Sequence, residues 1–297
     1  MAFRFDRDES LADGIRRIAR EEIDAASAWL SALEEDRDKA VHDARKGFKR
    51  MRALVRLARA TLGPEVFAAE NAFYRDVGRQ LSAARDSAAL IEAAESLHER
   101  FGNIIAEDVY RQVRAALGRA YEEAQRSSLD DADAAPAVVA ALAEGHARVE
   151  TWPIDGDGFG LVRDGLRQTY AQGQDALAAA RHDPVPECFH EWRKHVKYLW
   201  HHVELFSPLW PETLDAFAGE LHELADALGD DHDLLMLHHR LVAEPAHIGA
   251  LGGAIGRRRS ELQSRARSLG ARIYAESPDA FTERIERYWR VWQDPDA

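Results

Sequence analysis

The apolar positions of this chain recur at alternating steps of four and three over long stretches, the spacing that lines up one face of an α-helix. Ala44, Phe48, Met51, Val55 and Ala58 form one such seam. Trp192, Val196, Leu199, Val203 and Phe206 form another in the same register, 148 residues later. Ala, Leu, Arg and Glu dominate the long stretches, and runs of alternating β-branched residues do not occur, so the pattern predicts an all-α protein. Breaks are expected at Leu62-Gly63-Pro64, Ser127 to Pro136, Pro153 to Gly160, Asp183 to Pro186, Ser207 to Pro211 and Ser277-Pro278, which leaves room for about eight helices. The acidic Asp130-Asp131-Ala132-Asp133 and the Gly/Asp run Asp155 to Gly158 bracket a helical stretch around Val138 to Val149, which reads as a hinge or linker.

The two seams belong to a longer repeat. Asp13-Gly14-Ile15-Arg16-Arg17 returns as Asp164-Gly165-Leu166-Arg167-Gln168, and His42-Asp43-Ala44-Arg45-Lys46-Gly47-Phe48-Lys49 as His190-Glu191-Trp192-Arg193-Lys194-His195-Val196-Lys197. Leu81 to Asp86 returns as Leu228 to Asp233. All three pairs keep their order at offsets of 151, 148 and 147 residues. The expectation is a duplicated unit, with a first helical half at about 1–149 and a second at about 150–297. Each half would supply about four helices, and a pseudo-two-fold axis would turn the motifs towards one another.

Beside the first seam runs a basic stripe: His42, Arg45, Lys49, Arg52, Arg56 and Arg59, all at steps of three or four. The segment Val41 to Ala60 holds seven cations against Asp43 alone, in a chain whose formal charge is -13. That acidic total argues against broad attraction to nucleic acid or anionic membranes, so any anion site must be local. Cations about 6 Å apart repel by about 3 kcal/mol at an effective dielectric of 20. Such a stripe is either a solvated face balanced by acids on neighbouring helices or a site whose ligand is a polyanion, and the shortage of acids within it favours the second. In the second half the stripe is His190, Arg193 or Lys194, Lys197 and His201, and it ends where Glu204 takes the place of Arg56.

The motif His42-x-x-Arg45-Lys46-x-x-Lys49-Arg50-x-Arg52, repeated as His190-x-x-Arg193-Lys194-x-x-Lys197-Tyr198, resembles the signature of the CHAD family, the conserved histidine α-helical domains. The resemblance extends from Phe3 to Trp292 and includes Leu81 to Asp86. It implies two four-helix bundles related by pseudo-two-fold symmetry around a basic channel that binds inorganic polyphosphate, and a link to polyphosphate granules. Carried onto this chain, one wall of the channel would be His42, Arg45, Lys46, Lys49, Arg50, Arg52 and Arg56. The other would be His190, Arg193, Lys194, Lys197 and His201. Trp200 in place of Arg52 and His232 in place of Arg85 make the second wall less cationic. Some relatives join this domain to a CYTH triphosphatase module with a Glu-x-Glu-x-Lys strand motif, which is absent here.

The expected function is therefore non-enzymatic binding of polyphosphate, with no cofactor. Granules, or a separately encoded polyphosphate-metabolising enzyme, are the expected partners. Two alternatives stand beside it: a metal-dependent phosphohydrolase built from the histidines and from Asp230 to Asp233, and a nucleic-acid-binding helical protein. The adjacent pairs His201-His202 and His238-His239 point to different sides of a helix, and no His-Glu-x-x-His spacing occurs. Asp230 to Asp233 reads better as packing around a helix bend beside Gly229. His42 and His190 either pair with phosphate when protonated or orient a neighbouring helix; both readings are open. Cys188 lies two residues from His190, a spacing at which helical side chains diverge, and Trp152, Trp192, Trp200, Trp210, Trp289 and Trp292 read as core and helix-end packing. Met1 to Ser10 carries five charges and no apolar core of an export signal, and a single cysteine suits a reducing compartment, so a cytoplasmic location is expected.

Overall fold

The computed structural model describes residues 3–32, 36–81, 83–130, 134–242 and 248–294, and among them every regular element is helical. There are eleven α-helices among these residues where about eight were expected. The first six are α1 (Leu11–Ser31), α2 (Arg37–Leu57), α3 (Arg59–Gln80), α4 (Ala83–Phe101), α5 (Glu107–Asp130) and α6 (Ala134–Val149). After them come α7 (Gly160–His182), α8 (Pro186–Phe206), a single 3-10 turn at Ser207–Leu209, α9 (Pro211–Val242), α10 (Ile248–Ile273) and α11 (Pro278–Gln293). Among the described residues, no helix is long and apolar enough to cross a membrane.

Local chemistry sets several of these boundaries. The Ser10, Asp36 and Ser277 side chains each accept the backbone N–H three residues on, capping α1, α2 and α11. Pro186 and Pro278 occupy first-turn positions, where the missing N–H costs nothing. Gly63 sits at φ 75° ahead of Pro64 and kinks α3. Only glycine takes that conformation without strain, and Pro64 has no N–H for the preceding turn.

The packing pattern of the first half returns in the second. Helix α2 packs between α1 and α3, and α8 packs between α7 and α9. Likewise α4 pairs with α5 and α1 with α6, as α9 pairs with α10 and α7 with α11. The second segment of α3 begins at Pro64 and α9 begins at Pro211, 147 residues on. One difference is plain: α3 ends at Gln80, whereas α9 runs unbroken through Leu228, Gly229 and Asp230. The bend expected at Asp230 to Asp233 is therefore absent. The middle of the chain is no hinge either. Helix α6 buries Val138, Leu142 and Val149, Trp152 and Ile154 are buried behind it, and the Arg16 guanidinium donates to the carbonyls of Trp152 (3.1 Å) and Ile154 (2.9 Å).

The core runs through the contact between α2 and α8. All ten seam residues named from the sequence are at most 3% exposed. Burying a side chain of the size of Met51 or Leu199 contributes about 1.5–3 kcal/mol. His202, fully buried, donates from Nε2 to the Ala53 carbonyl at 2.8 Å and ties α8 to α2. Burial lowers its pKa to about 3, so the ring is neutral at physiological pH. Gly165 lets α7 close on the end of α2: a Cβ there would lie 1.9 Å from the Leu57 carbonyl oxygen. Of the six tryptophans read as packing, Trp152, Trp192 and Trp289 are buried and Trp200 and Trp292 half-buried, but Trp210 is 47% exposed with one face against Tyr288.

Candidate functional site

Helix α2 turns Arg45, Lys49, Arg52 and Arg56 to one side, away from the Ala44/Phe48/Met51 seam. Because α3 lies along that side, its Arg75 and Arg79 face them, and α8 closes the third side with Lys194, His195 and Tyr198. The three helices enclose a cavity of about 420 Å³. Among the described residues, five arginines and two lysines line it against one carboxylate, Glu191. Phe48, Tyr74, Gly78 and Tyr198 form its apolar surface.

Several of the cations meet acids or other acceptors among the described residues. Lys194 reaches Glu191 at 2.7 Å, and Arg75 and Arg79 share Asp76 at 2.8 and 3.6 Å. Arg52 donates from Nε to the neutral Asn71 amide oxygen at 3.2 Å. Arg45 donates to the Leu81 carbonyl at 3.4 Å. The Arg56 guanidinium lies 4.3 Å from the Tyr198 ring centre, and its buried Nε has no hydrogen-bond acceptor among the described residues. Burial first of all, and then Arg56, Arg75 and Arg79, lower the Arg52 pKa, with Tyr198 opposing. Crowded cations of this kind are stabilised by an anion with several oxygens: arginine offers a planar fork and lysine a point charge.

Of the twelve residues proposed from the sequence, Arg45, Lys49, Arg52, Arg56 and Lys194 line this cavity. The others lie elsewhere. Arg50 turns towards α1, where it meets Glu22 at 3.3 Å and lies 4.9 Å from the Phe3 ring centre. Burial raises the Glu22 pKa and Arg50 opposes it, so this is a half-buried structural pair. Lys46 and His42 are exposed on α2 and do not line the cavity. His201 is corrected to a core histidine: it is 3% exposed, its Nδ1 lies 2.7 Å from a Glu204 carboxylate oxygen, and its ring meets Phe3 edge-on.

Arg193 and Lys197 face α9, whose carboxylates offset them. Burial lowers the Arg193 pKa, with Asp233, Asp226 and Asp230 opposing. Burial, then Arg193 and Lys49, bring Lys197 down to about 7, again with Asp226 and Asp233 opposing. His190 stacks towards His232 with ring centres 4.8 Å apart. Burial, then Lys194 and Arg193, lower the His190 pKa, and burial brings His232 down to about 4. His190 is half-buried, and its Nδ1 has no hydrogen-bond partner among the described residues. The side chains of Arg85 and Asp86 lie outside the described residues.

Arg75, Arg79, His195 and Tyr198 were not foreseen. The first two are an i, i+4 arginine pair, a visible signal, but only tertiary packing turns that pair towards α2. Two other depressions contrast with this cavity. A groove of about 750 Å³ on α9 and α10 is larger, yet its Arg265 and Arg272 are paired with Glu223 (2.9 Å) and Glu220 (3.2 Å). A cleft of about 200 Å³ between α4, α9 and α10 is acidic, with Glu92, Asp230 and Asp233 around Arg258. Among the described residues, no group of three or more His, Cys, Asp or Glu side chains is placed to hold a metal ion.

Fold and cavity together define an all-α protein with a cation-lined cavity between α2, α3 and α8. The CHAD domain family model matches residues 17–242, and the chain belongs to that family. A crystal structure of the CHAD domain from the plant Ricinus communis superposes with a TM-score of 0.64, covering 96% of this chain and 94% of that one at 20% identity. No curated protein sequence matches the chain.

Proposed function

We propose that the protein binds inorganic polyphosphate in the cavity between α2, α3 and α8 and does not hydrolyse it. The observation that carries this reading is the convergence of seven cations from three helices on one cavity, in a chain whose formal charge is -13. Polyphosphate presents closely spaced nonbridging oxygens and no base edges, so recognition rests on charge density and cavity shape. Guanidinium forks and ammonium groups on three helices match that chemistry, and family membership supports it. By the same contact the protein would be recruited to polyphosphate granules from the cytoplasm.

Thermal unfolding of the pure protein with and without long-chain polyphosphate, at low and high salt, tests the reading. A ligand that binds only the folded state raises the midpoint by mass action. An upward shift that salt diminishes, with no phosphate released, is expected. Phosphate release on adding a divalent metal would instead identify a hydrolase, and displacement of polyphosphate by equimolar RNA would identify a nucleic-acid-binding protein.

A further inference from the structure

Two of the arginines that line the cavity are held by aromatic rings and an amide. The Arg56 guanidinium lies 4.3 Å from the centre of the Tyr198 ring on α8 and 5.8 Å from that of the Phe67 ring on α3. Arg52, one turn earlier on α2, lies 5.7 Å from the same Tyr198 ring and donates from Nε to the Asn71 amide oxygen. Tyr198 is 9% exposed and lines the cavity, whereas Phe67 is half-buried in the packing of α3 and does not line it. Arg50 on the same helix also meets a ring, that of Phe3, but there the Glu22 carboxylate offsets its charge.

A ring attracts a cation through its quadrupole but carries no net charge. The guanidinium it holds keeps its charge for an outside anion, whereas a carboxylate would cancel much of that charge and occupy the N–H donors. A long side chain fixed in place before the ligand arrives also has less rotamer freedom to lose on binding. Resting on polyphosphate as the ligand of this cavity, we infer that Tyr198 is a positioning residue of the site: its ring holds the Arg56 and Arg52 guanidinium groups at the cavity, and Phe67 steadies Arg56 from α3. Arg56, Phe67 and Tyr198 come from the three helices that enclose the cavity, so the contact sets the arginines against α3 and α8 at once.

The test is a mutant cycle read as affinity for long-chain polyphosphate, by titration calorimetry at low salt. Tyr198→Met removes the ring and should weaken binding about tenfold, the loss of a desolvated cation–π contact. Tyr198→Phe, which keeps the ring, should bind within about threefold of the wild type. In the Arg52→Ala/Arg56→Ala background, Tyr198→Met should cost less than about twofold, because a residue that acts through these arginines has nothing left to position. Phe67→Leu, outside the cavity, should show the same pattern on a smaller scale, with a loss of about threefold in the wild type and none in Arg56→Ala. It carries the test if Tyr198→Met loses its native circular dichroism spectrum. Ring variants that bind as tightly as the wild type, or that lose as much without the arginines as with them, overturn the inference while leaving polyphosphate as the ligand. A loss in Tyr198→Phe equal to that in Tyr198→Met also overturns it, because the hydroxyl and not the ring would then matter. Failure of the wild type to bind at low salt overturns the polyphosphate reading itself.

Discussion

Helices α2 and α3 and helices α8 and α9 make the same pairwise contacts on equally buried seams, yet they carry opposite electrostatic characters. Where the first pair has Arg52, Arg56, Arg75 and Arg79, the second has Trp200, Glu204, His222 and Asp226. The apolar seams and the close approach at Gly165 fix the scaffold, because an added methyl group or a lost contact inside a packed core costs kilocalories. Solvent-facing positions beside the seams carry no such constraint. Their charges can diverge while the packing stays similar, and one helix pair gathers arginines while the other sets carboxylates beside its cations. The difference teaches that helices with matching pairwise contacts need not carry matching chemistry.

The sharpest way to break this comparison is to empty each half of its cations in turn. Arg52→Ala/Arg56→Ala/Arg75→Ala should weaken polyphosphate binding about a thousandfold at low salt, since each charge-assisted hydrogen bond is worth about 1.5 kcal/mol. Removing mutual repulsion should leave its thermal midpoint unchanged or higher. Arg193→Ala should weaken binding less than tenfold but lower the midpoint, because it removes the buried guanidinium that offsets Asp226, Asp230 and Asp233. Equal losses of affinity in the two variants, measured by titration calorimetry, would show that the halves act alike.

A second comparison concerns the paired glycines. Gly165→Ala should cost about 3 kcal/mol in urea denaturation, because its Cβ would lie 1.9 Å from a backbone oxygen that cannot move aside. The corresponding Gly14→Ala would meet Glu9 Oε1 at 2.7 Å, the end of a flexible side chain, and should cost less than half as much. Equal costs would mean that α1 is as tightly seated as α7.

The smallest expected effect is a proton. Burial, Arg193 and Lys49 bring Lys197 down to about 7, and an anion bound at Lys49 offsets part of that and favours the charged form. Binding at pH 8 should therefore take up a fraction of a proton, seen as a dependence of the calorimetric enthalpy on the buffer's ionisation heat. The same shift makes folding release a proton between about pH 7 and the unfolded lysine's pKa, so Lys197→Met should stabilise the protein at pH 7 and lose that advantage as the pH approaches 10. Proton release on binding, or a stabilisation that grows with pH, contradicts this assignment.

Much of this architecture was legible in the sequence because it rests on periodicity. All ten seam residues are buried, Gly63-Pro64 kinks α3, and the helical class follows from the same pattern. Helix number was underestimated because the turns between α1 and α2 and between α4 and α5 contain no proline and only Gly102 as a glycine. The stop after α3 has no counterpart in α9, so the repeat could not predict it. The site was half legible. Neighbouring helical positions point about 100° apart, so Arg50 and Lys46 turn away from the face shared by Arg45, Lys49, Arg52 and Arg56. Periodicity shows which face of α3 is buried but not that its other side meets α2, so Arg75 and Arg79 came only from the tertiary structure. The acids that compensate Arg193 lie more than thirty residues away along the chain and could not be assigned to it in advance.

The central claim, that the α2/α3/α8 cavity is the polyphosphate site, is tested most directly by titrating long-chain polyphosphate into the wild type and into Arg52→Ala/Arg56→Ala/Arg75→Ala at two salt concentrations. The account predicts tight, salt-sensitive binding by the wild type and a loss of about a thousandfold in the variant with its fold intact, at about 1.5 kcal/mol for each of the three arginines. A folded variant that binds as tightly as the wild type, with the same salt dependence, would place the ligand elsewhere on the protein.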